Sequence, residues 1–247
     1  MAVGGFQDSD RWVRSPNDVA YRRVRDNLTG LVAEIPGLDR VRVPACPQWT
    51  VRDVLAHVVG ISHKVATRSG QAGAPPPFPG VDAEPDELVR TWHAVSEPVD
   101  RVLRDQPDLR AHIMVMDALT HELDIRYALG LPVPDEHAAV CGAMELLVIG
   151  FTRGIRERGL HALRIETSGA KWIAGDGEPA GSVSADRYDL YRSLAGRRTP
   201  AQIAELTWSG PPGPWLRAFE WGPFHPPADP VEQLDGPAGK STQRMAG

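Results

Sequence analysis

Cysteine is scarce: Cys46 and Cys141 are the only two in 247 residues, far apart and without a CxxC neighbour. This excludes a disulfide framework and a thiolate zinc site, so any metal ion must be held by histidines and carboxylates. Long apolar runs are missing too. None approaches the ~18 residues of a membrane span, and the N-terminal MAVGGFQDSDRW lacks a basic-then-apolar leader pattern. The expectation is a cytoplasmic protein with no membrane partner. Runs of about five or more basic residues are absent, and 27 Lys+Arg against 32 Asp+Glu give a net charge of -5, which argues against nucleic acid as a partner. Internal repeats and long low-complexity tracts are lacking as well.

What remains is an ordinary globular composition, 42% apolar and 24% charged. The length allows one large domain or two modest ones, and the pattern changes near residue 160. Before it, five helical segments are expected. The first covers 17–35, with Ser15 as N-cap and Pro16 in the first helical position. The second covers 51–67, opened by a Thr50/Asp53 capping box. The others cover 86–105, kinked at Pro98, then 109–128 up to Gly130, and 135–158. The Pro-rich stretch 73–80 reads as a connecting loop. After residue 160, alternating runs within 161–184 read as strands, followed by helices at 186–196 and 200–206, a short TWSG strand and a helical PGPWLRAFEW. The expected organisation is therefore a helical bundle over 14–158, an α+β domain over 160–225 and a mobile tail over 226–247.

Asp117 and His121 stand four apart on the most apolar segment, about 40° apart around the helix axis and one turn above each other. A carboxylate and an imidazole so placed can chelate one ion, and His57, at the edge of the second helix's apolar stripe, is the natural third ligand. Three protein ligands leave an open coordination position, the catalytic pattern for a divalent ion. A surface pair or a satisfied core histidine is the competing reading. Asp53 is either a partner orienting His57 or, in the favoured reading, only a cap; Asp124 is either a partner of His121 or a surface charge. His63 and His112 are read as structural or exposed, Cys46 as a buried small side chain, and Trp49 as a staple at the helix start. Trp172, Trp208, Trp215 and Trp221 are assigned to packing. Arg197 and Arg198, after Gly196, are candidates for an anionic ligand, with solvated helix-end charge as the default.

The segment Pro44-Ala45-Cys46-Pro47-Gln48-Trp49-Thr50-Val51-Arg52-Asp53-Val54-Leu55-Ala56-His57 resembles the signature of the mycothiol-dependent maleylpyruvate isomerase family. Asp117 to His121, with Asp124 and Ala128 to Gly130, is similar to its second motif, and Ser184 to Trp208 is weakly similar to its C-terminal domain. The resemblance implies a DinB-like antiparallel four-helix bundle followed by a small α+β domain. It also implies a divalent ion, zinc by expectation, on His57, Asp117 and His121, with mycothiol as thiol cosubstrate and Arg197 as a weak candidate for binding it. The partners implied are a small electrophile and the low-molecular-weight thiol, in a monomer or homodimer. Two departures stand out. Asp117 replaces the family's usual glutamate, and Met114, Val115 and Met116 stand where arginines often precede it. The expected activity is accordingly broad: a metal-bound thiolate attacks a small electrophile, giving cis-trans isomerisation of a maleylpyruvate-like compound or thiol S-transfer. Alternatives are a thiol-independent Lewis-acid metalloenzyme of specialised metabolism and a non-catalytic ligand-binding bundle that has lost the metal.

Overall fold

The computed structural model describes residues 13–70 and 75–233. Apolar spacing and local stop signals give six long or medium helices: α1 (Asn17–Glu34), α2 (Val51–Ser69), α3 (Pro85–Ala94), α4 (Ser96–Asp105), α5 (Leu109–Ala128) and α6 (Val140–Glu157). Pro16, not Ser15, occupies the N-cap of α1. Its extended ψ of 148° keeps it outside the helix, while its carbonyl accepts the Ala20 amide at 2.9 Å. The kinked helix expected over 86–105 is instead two helices that break at Val95. Pro98 has no amide hydrogen for the Ala94 carbonyl and its ring crowds that oxygen, so the ladder stops one turn ahead of it. α6 begins at Val140 rather than at 135, because the His137 imidazole accepts the Ala139 amide at 3.1 Å and reaches Glu122 on α5 at 3.0 Å. The stretch before α6 is thus committed to side-chain contacts instead of helical bonds.

The chain forms a helical part followed by a small α+β part, and it divides into two units at Leu146/Leu147. The compositional change near 160 marks the end of α6, not this division. An unbroken ladder of i to i−4 bonds runs through Leu146, so no local signal announces the change.

Within the N-terminal unit, α1 packs on α5 and α4, while α2 packs on α3, α4 and α5. Tyr21, Val24 and Leu28 of α1, Val54, Leu55 and Val58 of α2, and Leu119 and Leu123 of α5 are all buried. Polar groups that enter this core find partners. The Arg25 guanidinium grips Asp100 of α4 through two bonds of 3.0 and 3.1 Å, and the Tyr21 hydroxyl shares a 2.5 Å bond with Ser62 of α2. Burial pushes the Tyr21 phenol up from its ordinary pKa, so it remains neutral.

The C-terminal unit holds β1 (Leu163–Glu166), β2 (Lys171–Ala174), β3 (Gly181–Ser184) and β4 (Thr207–Trp208) in the order β2-β1-β3-β4. β1 pairs antiparallel with β2 and parallel with β3, and β3 pairs antiparallel with β4. Register aligns Trp172, Ile165, Val183 and Trp208 in one row across the sheet, the first three buried. Three short helices follow the strand order: α7 (Arg187–Leu194), α8 (Pro200–Ala204) and α9 (Gly213–Leu216). No helix among the described residues is long and apolar enough to cross a membrane.

The segment from 226, expected to be a mobile tail, departs from that expectation at Glu232. This carboxylate is buried, accepts from Arg192 Nε at 2.7 Å and Nη2 at 2.5 Å, and also pairs with Arg198, whose Nη2 donates to Asp189 at 2.9 Å. Two guanidiniums with no exposure require this charge, and a single Glu in a polar, Pro-rich stretch gave no sign of it. Residues 234–247 lie outside the described residues. Removing one partner of such a cluster strands buried charge, so Glu232→Leu is expected to cost about 3–5 kcal/mol. Urea unfolding followed by tryptophan emission checks this, and an unchanged midpoint would show that the contact carries no stability.

Candidate metal centre and adjoining cavity

Two helix starts fix the register of the site. On α5, the Asp108 side chain accepts the Ala111 amide at 3.0 Å. On α2, the expected capping box is formed in full: Thr50 Oγ1 accepts the Asp53 amide at 3.3 Å, and Asp53 Oδ2 accepts from the Thr50 amide at 2.7 Å and hydroxyl at 2.8 Å. The loop before α2 folds on itself, with Val43 donating to the Trp49 carbonyl (3.0 Å) and Trp49 to the Cys46 carbonyl (2.7 Å). Trp49 and Cys46 are thereby set beside the first turns of the helix.

His57 of α2 meets Asp117 and His121 of α5. The His57 Nε2 to Asp117 Oδ2 distance is 3.3 Å and the His121 Nε2 to Asp117 Oδ1 distance is 3.7 Å. One ligand atom from each of the three lies within 4.8 Å of the others. Exposure is uneven: the side chains of His57 and Asp117 are 32% and 30% exposed, that of His121 only 9%. The cluster is anchored on its buried side and open on the other.

Asp124 supplies the anchor. Its side chain is fully buried and accepts from His121 Nδ1 at 3.1 Å. With Nδ1 carrying the proton toward that carboxylate, Nε2 presents its lone pair toward Asp117. Of the two sequence readings of Asp124, partner of His121 or surface charge, the structure selects the first. For Asp53 it shows the cap, whose carboxylate the Thr50 amide holds below the ordinary pKa of an aspartate.

Two residues differ from their expected roles. Cys46 is half-buried, not buried, and its thiol donates to Asp124 Oδ2 at 3.7 Å. Cys46, His121 and Asp124 thus form a second close group that shares His121 with the first and could hold a metal ion, which corrects the expectation that only histidines and carboxylates are available as ligands. Trp49 does more than close a helix start: its ring lies 5.2 Å from that of His57 and 5.9 Å from that of His121, centroid to centroid. Neither contact has a sequence signal, because both depend on how a non-helical loop folds over α2.

The remaining candidates lie elsewhere. His63 Nε2 bonds the Pro76 carbonyl at 2.7 Å. His112 bonds Asn17 at 2.9 Å and is bonded by Arg14; burial, and then the Arg14 charge, lowers its pKa. Arg197, in the C-terminal unit, donates to the Ala195 carbonyl at 2.9 Å, a helix-end contact. Met114, Val115 and Met116 are buried.

Beside His57 opens a cavity of about 510 Å³ between α2 and the segment carrying Phe78 and Val81. Trp49, Ala56, Ile61 and Phe78 give it mostly apolar walls, and His57 presents an imidazole to it.

Fold and site together define a helical domain with a histidine–aspartate cluster suited to a divalent ion, joined to a small α+β domain. The family model described as the mycothiol maleylpyruvate isomerase N-terminal domain matches residues 21–146, and the chain belongs to this family. Two solved structures are similar. A histidine-to-alanine mutant of the mycothiol-dependent maleylpyruvate isomerase has a TM-score of 0.49 at 14% identity, and the match covers 78% of this chain and 91% of that one. The structure of the same isomerase without that mutation has a TM-score of 0.46 at 14% identity, with the same coverage. Among curated proteins none matches.

Because the folded-state pKa of Asp53 is depressed, its contribution to stability is present above the unfolded-state value of about 3.9 and is lost as pH falls through the lower folded value. Asp53→Ala is therefore expected to lower stability by a constant amount above about pH 5, with the gap to the native chain closing at lower pH. Thermal midpoints measured from pH 7 to 3 check this; a gap that does not change with pH refutes the assignment.

Proposed function

We propose that this chain is a metal-dependent enzyme that uses mycothiol as thiol cosubstrate and acts on a small electrophile at His57, Asp117 and His121. The outcome is cis-trans isomerisation of a maleylpyruvate-like compound or thiol S-transfer. The observation that carries the reading is the convergence of these three side chains, with His121 already oriented by the buried Asp124. Two imidazoles and one carboxylate with an open side suit zinc, and the missing fourth protein ligand is the mark of a catalytic site. Family membership supports mycothiol as the thiol. A cytoplasmic location accompanies the reading, since that compartment keeps thiols reduced.

A divalent cation bound here supplies Lewis acidity, which lowers the pKa of a coordinated thiol and favours its thiolate. The chain's own residues do the rest. Asp124 keeps the proton on His121 Nδ1 and fixes the ring plane. Trp49 lies beside both imidazoles with its ring tilted to each, adding an apolar wall to the site. His57 and Asp117, each about one-third exposed, face the side from which a substrate arrives. In this reading the nucleophilic sulfur is the cosubstrate's, while the Cys46 thiol donates to Asp124.

One observation favours a second reading. The 3.3 Å contact between His57 Nε2 and Asp117 Oδ2 pairs the two groups directly, an arrangement also open to a bundle that has lost its metal. Elemental analysis of untagged protein separates the two: the proposal expects one equivalent of metal per chain. His57→Ala and His121→Ala should abolish metal binding, and Asp124→Asn should weaken it by about 10- to 100-fold. Retention of metal and thiol-dependent turnover by both histidine variants would overturn the reading. Activity that survives omission of thiol would establish the Lewis-acid alternative.

A further inference from the structure

We propose that the cavity beside His57 selects an electrophile with a flat apolar body and one negative charge, the charge being drawn to Lys64. The position of the reactive end rests on the reading of His57 above; the selectivity of the cavity stands on its own lining. Asp53, His57, Ile61 and Lys64 line this cavity and recur at helical spacing, so they form one stripe along α2. The stripe is electrically ordered. Its N-terminal end carries the Asp53 carboxylate, kept ionised by the Thr50 amide. Its far end carries the exposed Lys64 ammonium, seven residues and about 10 Å beyond His57 along the axis.

Lys64 makes no ion pair with any carboxylate among the described residues. The other basic group at that end, His63, commits Nε2 to the Pro76 carbonyl, a bond that also pins the segment bearing Phe78 to α2. Lys64 is thus the one permanent cation among the described lining residues. A ligand whose reactive atom lies at His57 has the Asp53 carboxylate on one side, so a negative charge on its far end is drawn toward Lys64. Between the two ends Ala56, Gly60, Ile61, Phe78 and Val81 offer apolar and aromatic surface.

The test is equilibrium binding of two isosteric probes, naphthalene-2-carboxylate and naphthalene-2-carboxamide, to the full chain as purified, measured by calorimetry at constant salt. Neither thiol nor turnover is involved, so failure here is distinguishable from failure of the thiol chemistry. The acid is expected to bind about five- to tenfold more tightly than the amide. Lys64→Ala, a change at an exposed position, should abolish that ratio, and Lys64→Glu should invert it. Phe78→Ala should weaken both probes by a similar factor and leave the ratio intact. Equal affinity of acid and amide for the native chain, a preference that persists in Lys64→Ala, or no binding of either probe overturns the proposal.

Discussion

Two carboxylates on α5, Glu122 and Asp124, lie in the interior of the helical unit, and a buried carboxylate must be matched by donors or it destabilises the fold. Much of the unit's architecture answers this constraint. Glu122 is met by Asn27 of α1 at 2.8 Å, by Arg126 one turn on at 2.8 Å, and by His137 at 3.0 Å, which ties the first helix and the approach to α6 onto α5. Asp124 is met by His121 and by the Cys46 thiol, which ties the loop before α2 to the same helix. Serving as the spine of the unit, α5 also carries two of the three candidate ligands, Asp117 and His121, so the bonds that hold the bundle together set their orientation.

The candidate site inherits an asymmetry from that arrangement. His121 is fixed by packing, by Asp124 and by its place on a long helix, whereas His57 and Asp117 keep about a third of their side-chain surface open. The rigid candidate ligand thus lies at the rear and the two more accessible ones in front. Aspartate at position 117 shortens the reach from α5 by one methylene relative to glutamate. The 3.3 Å separation between His57 and Asp117 shows that α2 and α5 approach closely enough for the shorter side chain to stay in the cluster.

What the sequence revealed was local. The bounds of α5, the start of α2 and its capping box, and the pairing of Asp117 with His121 follow from helical periodicity and cap chemistry acting over four to seven residues. His57 was legible because it borders an apolar stripe on the neighbouring helix. The features that escaped are partnerships across long sequence separations. Glu122 with His137, Arg192 and Arg198 with Glu232, and Trp49 over the two imidazoles have no spacing rule, because the partner's identity depends on tertiary packing. Even the shift in the start of α6 has this origin, since His137 is drawn to a glutamate fifteen residues away.

Buried ionic clusters of this kind are weak evidence for stability, because well-packed apolar side chains often serve as well or better. Each cluster here instead restricts the geometries available to the chain. Leucines in place of Glu122 and His137 could pack in several rotamers, but a carboxylate that needs Asn27, Arg126 and His137 at once admits one arrangement of α1, α5 and the 137 segment. Asp124 acts in the same way at the site: any rotation of His121 that freed Nδ1 would break the bond this ring makes to an interior carboxylate. The interior thus exchanges hydrophobic redundancy for a single orientation of one imidazole. For the proposed cluster of three ligands, where a misdirected ring nitrogen would remove a ligand outright, that orientation matters more than the stability the charges contribute.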